Sequence, residues 1–259
     1  MTVFEPSHEQ VLEFCAREPV ERVFLEDVAR RGLGRFFAVA GSHDRVSALC
    51  HAGANLVPSG PGSSAFAVAA ADARSRMIIG EANAVTELWE AARNVLPRAR
   101  EDRMHQPVYA ISDPPTPGES GLRPARLDDL ERLLPACAAA HELELHVDPL
   151  ERDADGFRWR TEAQIEEGRS WVWLEDGVIL FKAEASAWTP TAVQIQQVWV
   201  DPEVRRRGYG ARGMRDLVRL LLQTTPIVTL FVRGENRSAI ATYEAIGMHK
   251  VLEYRSVLF

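Results

Sequence analysis

The chain has 259 residues, of which 46% are hydrophobic and 26% charged, and its formal net charge is −7. This length suits two domains of ordinary size, and the composition is that of a globular protein, which excludes disordered and fibrous classes. The negative charge makes nucleic acid an unlikely partner, because phosphate backbones select basic surfaces.

The sequence pattern predicts no membrane-spanning segment, no signal peptide and no disulfide framework. No apolar run approaches the roughly 18 residues that cross a bilayer, and Met1–Gln10 lacks the basic start and apolar stretch of a signal peptide. Cys15, Cys50 and Cys137 are scattered and form no CxxC pair, so neither a disulfide framework nor a metal site is expected. We therefore expect a cytoplasmic protein with no membrane partner and no metal.

The first part of the chain has a mixed α/β pattern. Apolar periodicity and breaker residues predict helices over 9–16, 20–30 and 81–95, and strands over 35–40, 46–58 (broken near Gly53), 77–79 and 107–111. Ser59–Ser64 is rich in glycine, serine and proline, which predicts a flexible loop.

A proline-rich segment, Asp113-Pro-Pro-Thr-Pro-Gly118, follows these elements. Its residues break both helices and strands, and proline-rich connectors behave as stiff spacers. We therefore predict a domain over residues 1–112, a linker over 113–120 and a second domain over 121–259.

The second part repeats the same element order. The pattern predicts strands over 122–125, 171–174, 178–185, 193–200 and 227–232, a closing strand pair within 248–259 that turns near Leu252-Glu253, and helices from 128, over 155–168, 209–222 and 236–246. Asp176-Gly177 is a strong hairpin signal. Shared element order favours two degenerate copies of one fold.

The strongest motif runs from Val198 to Ala211, where a strand, a charged turn and a glycine-rich helix start follow one another. Glycines allow a close backbone approach to a ligand, and the first N–H groups of a helix bind anions. Guanidinium groups suit phosphate oxygens. The candidate phosphate site comprises Arg205, Arg206, Arg207, Gly208, Tyr209, Gly210 and Ala211. The alternative is a solvated basic turn that only begins a helix.

A dinucleotide site is the rival interpretation of the same glycines, because Gly208–Gly213 matches GxGxxG. That fingerprint needs a strand that runs almost directly into its first glycine, and several strand–helix units after it. Residues Asp201–Arg207 intervene here, and only about one such unit remains. We disfavour the dinucleotide interpretation.

A second motif, Asn236–Met248, lies downstream. Asn236 is a good helix N-cap and Gly247 a good terminator, which are sufficient structural reasons for both residues. Asn236, Ala239 and Tyr243 share one helix face. A phenol on that face could deliver a proton to a departing thiolate, whereas the alternative for Tyr243 is a half-buried packing residue.

Together the two motifs resemble those of the GNAT superfamily of acyl-CoA N-acyltransferases. Arg205-x-x-Gly208-x-Gly210 resembles the pyrophosphate loop, and Asn236-x-x-Ala239-x-x-x-Tyr243 resembles the last helix. The resemblance covers residues 121–259. Phe181–Glu184, Gln194–Pro202 and His141–Pro149 are similar to an actinobacterial group that carries an extra N-terminal domain.

The resemblance implies an α/β (α+β) mixed-sheet fold with two GNAT-like domains in tandem, the first degenerate. The cosubstrate would be acetyl-CoA or a related acyl-CoA, and the acceptor a small-molecule or peptide amine. The strands ending near Val200 and Phe231 would splay apart. The cofactor site would then comprise the backbone of Val198, Trp199 and Val200, the phosphate turn, and Asn236. Tyr243 would act as general acid during direct attack, so Cys137 need not be a nucleophile.

One departure from the family pattern concerns the general base. Gln194 stands where some members carry a glutamate, and Gln196 and Gln197 lie nearby. Any base must be water or another residue, with candidates Glu142, Glu144, His141, His146 and Glu184, although each could equally have a surface or structural role. In the N-terminal half, Ile79-Gly80-Glu81 is interpreted as the junction that corresponds to the phosphate loop, and its lack of arginines predicts a lost site.

Two other functions stay open at this point. A non-catalytic acyl-CoA-binding regulatory module is favoured by the missing glutamate and disfavoured by the presence of Tyr243. An aminoacyl-tRNA-dependent transferase is disfavoured by the acidic charge and the intact phosphate loop. Nothing in the sequence indicates an oligomeric state.

Overall fold

The computed structural model describes residues 2–41 and 45–259, so Met1, with which the signal-peptide expectation begins, and residues 42–44 lie outside it. The described residues form one twelve-stranded mixed sheet with helices on both faces, which confirms the α/β class. The strands are β1 Val3–Phe4, β2 Arg35–Ala40, β3 Val46–Ala52, β4 Leu56–Ser59, β5 Met77–Glu81, β6 Glu101–Ile111, β7 Leu122–Pro124, β8 Ser170–Glu175, β9 Val178–Trp188, β10 Ala192–Val200, β11 Ile227–Phe231 and β12 His249–Leu258. The helices are α1 His8–Ala16, α2 Val23–Arg30, α3 Ala67–Ala71, α4 Ala82–Ala92, α5 Leu130–Leu145, α6 Pro149–Glu166, α7 Tyr209–Leu221 and α8 Arg237–Ala245.

The order of strands in the sheet shows a reciprocal exchange between the two halves. The order is β1-β2-β3-β4-β5-β12-β6-β11-β10-β9-β8-β7. From either edge, five strands of one half are followed by the last strand of the other half and then by the half's own last strand. β12 therefore lies between β5 and β6, and β6 lies between β12 and β11.

The two halves have the same internal pairing pattern. In each, the fourth and fifth strands are parallel, as β4–β5 and β10–β11, while the other pairings are antiparallel. The chain is thus a duplicated α/β unit, as the repeated element order predicted, and the two units are joined into one continuous sheet.

Two apolar cores enclose the C-terminal half of the sheet. On one face, α7 and α8 bury Met214, Leu217 and Tyr243 against Val193 and Ile195 of β10. On the other face, α5 and α6 bury side chains such as Leu133, Cys137 and Phe157 against Val172 of β8 and Trp199 of β10. Strand side chains alternate between the faces, so residues on β9 and β10 reach both cores. A gap between strands in this half would therefore open to the α7–α8 side of the sheet and to the α5–α6 side.

The prediction of a closing strand pair is wrong. Residues 249–258 form the single strand β12, with no turn at Leu252-Glu253 but a shift of register between Lys250 and Leu252. The sequence pattern breaks there because a bulge interrupts the alternation of side chains. The same exchange lengthens β6, which begins at Glu101 rather than near Pro107, because it pairs with β12 along its whole length.

The segment between the halves is not a free spacer. Residues 112–121 contain no helix or strand, yet Asp216 of α7 accepts hydrogen bonds from the backbone N–H groups of Gly118 and Ser120, both at 2.7 Å. Arg219 donates to the Pro115 carbonyl at 2.7 Å. The prolines remove donors and fix φ, and the carboxylate and guanidinium of α7 then hold the segment along the helix.

In the described residues, no helix is both long and apolar enough to cross a membrane.

Removal of residues 1–112 should prevent the C-terminal half from folding. Within the described residues, β12 has two neighbours, β5 and β6, and both belong to the N-terminal half. An isolated fragment 113–259 would keep β12 without a paired strand, and an unpaired strand rarely holds its register. We expect no cooperative thermal transition by circular dichroism for this fragment. The control is the full-length chain cleaved once within 113–117, which should keep a cooperative transition; a fragment that unfolds as cooperatively as the cleaved chain would contradict the prediction.

Candidate functional site

β10 and β11 begin as paired parallel strands and then separate. They pair from Ala192 to Ile195 of β10, opposite Ile227–Leu230. Beyond Ile195, β10 pairs with β9 alone as far as Val200, while Phe231 of β11 pairs with β6. The expected splaying of these strands is confirmed, and it leaves a gap beside the last five residues of β10.

A bulge in β10 lies at the start of this gap. Between the pairs Gln196–Glu184 and Trp199–Lys182, β10 has two residues where β9 has one. Gln197 has φ of 52°, in the left-handed region, which costs a residue with a side chain about 1–3 kcal/mol. Bulges bend a strand and redirect its side chains, and they are common beside active sites.

Val198, Trp199 and Val200 form the edge of the gap. Val198 and Val200 pack against the core under α7 and α8, whereas Trp199 belongs to the core under α5 and α6. The buried Trp199 Nε1 has no hydrogen-bond partner in the part of the chain that the structure describes. Because β11 pairs with β10 only as far as Ile195, the backbone edge of these three residues that faces away from β9 has no paired strand among the described residues.

The turn after β10 presents backbone N–H groups to solvent. Asp201 accepts from the Glu203 N–H at 2.8 Å and begins a short 3₁₀ turn, and Gly208, with φ of 85°, is the N-cap of α7 without any capping side chain. The N–H groups of Tyr209, Gly210 and Ala211 open the helix, so they have no acceptor within it. Together with the helix dipole they favour an anion.

Three arginines surround this helix start. Arg205, Arg206 and Arg207 are exposed, and in residues 2–41 and 45–259 none of them forms an ion pair. Arg205 Nε donates to the Val200 carbonyl at 3.1 Å, which links the turn to the gap. A Cβ at Gly210 would lie 3.4 Å from Val200 Cγ2, so a larger side chain there would crowd the same edge. The turn is a local positive site on an acidic protein.

The second motif brings α8 to the other side of the gap. Asn236 is the N-cap of α8, and its Oδ1 accepts from the Ala239 N–H at 3.1 Å. Tyr243 is buried, with its ring 6.3 Å from the ring of Tyr109. Burial, with a contribution from the negative charge of Glu144, raises the pKa of the Tyr243 phenol, so it stays protonated at neutral pH.

Glu144, near the end of α5, contacts the bulge of β10. Its Oε2 accepts a hydrogen bond from Gln197 Nε2 at 2.6 Å. Arg103 of β6 donates to the Glu144 backbone carbonyl at 2.7 Å, and Arg233, just after β11, donates to the same oxygen. Burial raises the pKa of Glu144 above its ordinary value, although the two guanidinium groups and Gln197 oppose the shift.

The other candidate bases have different surroundings. Glu184 is ion-paired with the fully buried Lys182 at 2.6 Å, and Cys137 Sγ lies 3.4 Å from the same carboxylate. Burial raises the pKa of the Cys137 thiol to about 12, so it is protonated. Burial and the charge of Arg160 lower the pKa of His141, whose ring packs edge-on against a ring of α6.

The remaining candidates do not enter the gap. Glu142 and His146 are exposed. Gln194, which the residue count placed at the family's glutamate position, lies before the strands separate, where it pairs with Thr229 of β11. Gln197, three residues further along β10, lies instead in the bulge at the start of the gap. In the described residues, no three side chains of the metal-binding types cluster together.

The corresponding loop of the N-terminal half is not Ile79-Gly80-Glu81. The element order matches β4, Gly60–Gly62 and α3 to β10, the arginine turn and α7, while β5 and α4 match β11 and α8. Glu81 is the N-cap of α4, as Asn236 is of α8. The loop expected to be flexible, Ser59–Ser64, therefore leads through a short 3₁₀ turn into α3. This helix escaped prediction because Ala67–Ala71 has neither a cap nor a polar face.

The N-terminal loop is filled by the protein itself. Gly62, with φ of 92°, donates its N–H to the Glu87 carboxylate of α4 at 2.8 Å. Glu87 thus satisfies a backbone donor of the loop that corresponds by element order to the arginine turn. The loop also has no arginine between Ser59 and Phe66. A phosphate here would displace or repel an internal carboxylate.

The end of β4 is closed in a similar way. Arg22 donates to Ser59 Oγ at 2.9 Å, and Ser59 donates to Glu21 at 2.5 Å. Tyr254 of β12 donates to the Glu21 carbonyl at 2.6 Å, and the Arg22 guanidinium lies 3.8 Å from the ring centre of Phe14. Glu21, in the segment between α1 and α2, is thus bonded to side chains of the N-terminal half and of β12.

Comparison with known proteins identifies the second half. A model described as the acetyltransferase (GNAT) family matches residues 128–248, which include β10, the arginine turn, β11 and α8. The second half of the chain is a GNAT domain. A model described as a domain of unknown function (DUF4081) matches residues 34–133. No curated protein matches the chain.

Solved structures share the whole two-part architecture with this GNAT protein. A GCN5-related N-acetyltransferase from Sphaerobacter thermophilus is 17% identical, with 98% of this chain and 94% of that chain covered and a TM-score of 0.63. A GNAT acetyltransferase from Colwellia psychrerythraea is 9% identical, with full coverage of both chains and a TM-score of 0.60. A tandem GNAT protein from the clavulanic acid pathway is 14% identical, with 99% and 98% covered and a TM-score of 0.57. At these identities the likeness concerns the fold, which is a tandem GNAT fold with a degenerate first domain.

Sequence reasoning missed two contributors to the site. Arg103 precedes the strand that was expected to start at Pro107, and Arg233 follows β11 outside both motifs. No sequence motif marks either residue, because both donate to the backbone carbonyl of Glu144, which is 41 residues from Arg103 and 89 residues from Arg233.

Replacement of Gly208 by valine should abolish the binding of CoA. The added Cβ would meet no atom within 4 Å, so the cost comes from φ of 85°, which a β-branched residue hardly tolerates. The turn would reorganise and withdraw its N–H groups. Calorimetric titration with CoA measures this loss. Gly168→Val is the matched control, because Gly168 also has positive φ and open surroundings but follows α6; unchanged affinity in a folded Gly208→Val protein would refute the phosphate-turn assignment.

Binding of CoA should saturate at one molecule per chain. The loop of the N-terminal half is occupied by Glu87 and has no arginines, so it offers no anion site. The same calorimetric experiment gives the stoichiometry. Two molecules of CoA per chain would show that the N-terminal half kept its site.

Proposed function

We propose that the protein is an N-acyltransferase that moves an acyl group, with acetyl as the first candidate, from acyl-CoA directly to an amine. The observation that supports this most strongly is the gap between β10 and β11. It leads from an arginine-rich helix start without a side-chain cap on one face to the half-buried Glu144 carboxylate on the other. A gap of this kind suits a long ligand with a phosphorylated end and a reactive end.

In this proposal the turn at Arg205–Ala211 binds the pyrophosphate. The N–H groups of Tyr209, Gly210 and Ala211 would contact phosphate oxygens directly, and the three guanidinium groups would neutralise their charge. Asn236, at the start of α8, would border the same site. Among the described residues none of the three arginines forms an ion pair, so binding need not break one.

The pantetheine arm would extend along the free edge of β10. Val198, Trp199 and Val200 provide backbone groups there that β11 does not pair with. An extended amide chain can add to such an edge in the manner of another strand. The Val200 carbonyl already accepts from Arg205, so this residue can join the arm site and the phosphate site.

The acyl transfer itself needs little from the protein beyond position and proton handling. The amine nitrogen attacks the thioester carbonyl, a C–N bond forms, and the C–S bond breaks. Tyr243 would donate to the departing sulfur. A phenol with a raised pKa is a weak acid towards a thiolate, whose free thiol pKa is about 8.5, so a hydrogen bond to sulfur is its main contribution.

The acceptor would enter from the α5–α6 face of the sheet. The arginine turn lies at the N-terminal end of α7, on the opposite face. The two substrates would therefore approach the gap from opposite faces of the sheet. Both can then be present together, and no acyl-enzyme is required. The buried and protonated thiol of Cys137 fits this direct transfer. The amine class stays broad, from small molecules to peptides.

A thiol-release assay tests the proposed function directly. The protein would be mixed with acetyl-CoA and a panel of primary amines that includes amino acids, polyamines, amino sugars and lysine peptides. The proposal requires amine-dependent release of CoA and an acylated product by mass spectrometry. Tight binding of acetyl-CoA with no transfer to any amine would favour a regulatory acyl-CoA-binding module instead.

Tyr243→Phe should lower kcat about 10²-fold, near the lower end of the 10²- to 10⁴-fold typical of a positioned acid. The ring and its packing remain, and only the donor is lost, so affinity for CoA should change little. A transition-state effect lowers kcat and kcat/KM together. Tyr109→Phe is the matched control, since its hydroxyl bonds Glu244 rather than facing a ligand. If Tyr243→Phe weakened CoA binding while turnover stayed unchanged, Tyr243 would be a packing residue.

A further inference from the structure

The Glu144 carboxylate is the charged group on the α5–α6 side of the gap that the proposed mechanism has not yet used. We propose that Glu144 takes the proton from the acceptor amine, and that Gln197 positions its carboxylate for this step. The inference rests on the proposed acyl transfer and assigns its base, which the sequence left open among five residues.

The position of Glu144 is the first argument. Gln197 lies in the bulge of β10 where the strands separate, and its amide donates to Glu144 Oε2 at 2.6 Å. Glu144 is also close enough to Tyr243 for its charge to act on the phenol. One residue is on α5 and the other on α8, on opposite faces of the sheet. Glu144 and Tyr243 therefore flank the gap through which amine and thioester must meet.

The second argument is that Glu144 keeps a free oxygen. In the part of the chain that the structure describes, Gln197 is the donor to Oε2 and no donor contacts Oε1. Arg103 and Arg233 bond to the backbone carbonyl of Glu144 rather than to its carboxylate. They fix the end of α5 without neutralising the acid in a direct ion pair.

The other candidates lack one or both of these properties. The Glu184 carboxylate is engaged by Lys182 and Cys137. Glu142 is exposed, two residues away on the same helix. His141 is half-buried and packs against Phe157 of α6, and the charges that act on it come from Arg160, Arg152, Glu184 and Lys182 rather than from the gap.

The charged surroundings of Glu144 have a definite effect on its titration. Arg103 acts on it from β6, Arg233 from the segment after β11, Lys182 from β9 and Tyr243 from α8. Burial raises the pKa of Glu144, and Arg103 and Arg233 limit that rise. A base works only when deprotonated, so kcat should fall as the pH drops through this raised pKa. The acid limb should lie above the ordinary glutamate value of about 4.3.

The proton balance of the step is complete with these residues. As the neutral amine attacks, its nitrogen gains positive charge, and an N–H proton passes to Glu144 while the C–N bond forms. The C–S bond breaks, and the sulfur accepts a hydrogen bond or proton from Tyr243. Solvent then removes the proton from Glu144 and restores the phenol. The products are the amide and free CoA.

Glu144→Gln tests the assignment, with Glu142→Gln as the matched control on the same helix. The assay uses acetyl-CoA and whichever amine of the panel the wild-type protein acylates fastest. We expect kcat to fall about 10²- to 10⁴-fold in Glu144→Gln, the acid limb of its pH profile to disappear, and the calorimetric affinity for CoA to stay unchanged. Glu142→Gln should keep the wild-type kcat and pH profile.

Gln197→Ala tests the positioning role separately. It removes a hydrogen bond that favours the charged carboxylate, so the pKa of Glu144 should rise and the acid limb should move to higher pH. A purely structural residue would lower activity without moving that limb. Carbon-13 NMR of labelled glutamate gives the Glu144 titration without any acceptor, by difference from Glu144→Gln.

The outcomes separate this inference from the proposed function. If the wild-type protein acylates an amine and Glu144→Gln does so at the same rate with the same pH profile, Glu144 is not the base. If His141→Gln or Glu184→Gln removes the acid limb instead, the assignment is also overturned. If the wild-type protein acylates no amine, the proposed function fails, and a carbon-13 titration of Glu144 at the ordinary glutamate value would independently contradict the enclosed carboxylate.

Discussion

β6 and β12 hydrogen-bond to each other at the centre of the sheet, and each also pairs with a strand of the half to which it does not belong in sequence. This exchange joins two copies of one fold into a single body. It also brings residues of the first half into the site of the second, because Arg103 of β6 bonds to the Glu144 carbonyl. The extra N-terminal domain is therefore part of the construction of the site, whatever else it does.

The two halves share a framework and differ in what fills it. In the C-terminal half, the fourth and fifth strands separate beside a helix start whose first N–H groups have no acceptor among the described residues. In the N-terminal half, Glu87 accepts a hydrogen bond from the N–H of Gly62 in the equivalent loop, and Ser59 at the end of β4 bonds to Arg22 and Glu21. An internal carboxylate satisfies donors that an anion would otherwise bind. If only the C-terminal half binds CoA, as we propose, these internal side chains would account for the missing second site with the fold itself unchanged.

The sequence was informative where the determinants are local. Gly208 and the arginines before it, the cap at Asn236 and the spacing to Tyr243 all lie within short windows, and they locate the helix starts and the candidate site. The strand exchange could not be predicted, because the choice of a strand's neighbour depends on residues more than a hundred positions away. Counting back from Gly208 selects Gln194, but the local sequence does not show the bulge that places Gln197 where the strands separate. No local pattern distinguishes Glu144 from Glu142, because only the packing of α5 against β10 brings the Glu144 carboxylate to Gln197.

Amide hydrogen exchange with and without acetyl-CoA tests the central claim most directly, because it reports on both halves in one experiment. The account predicts that acetyl-CoA slows exchange at Val198–Val200 and Tyr209–Ala211, where free backbone groups would gain partners. Exchange at Gly60–Phe66, the filled loop of the first half, should not change. Protection of Gly60–Phe66, or binding of acetyl-CoA without protection of the turn at the start of α7, would contradict it.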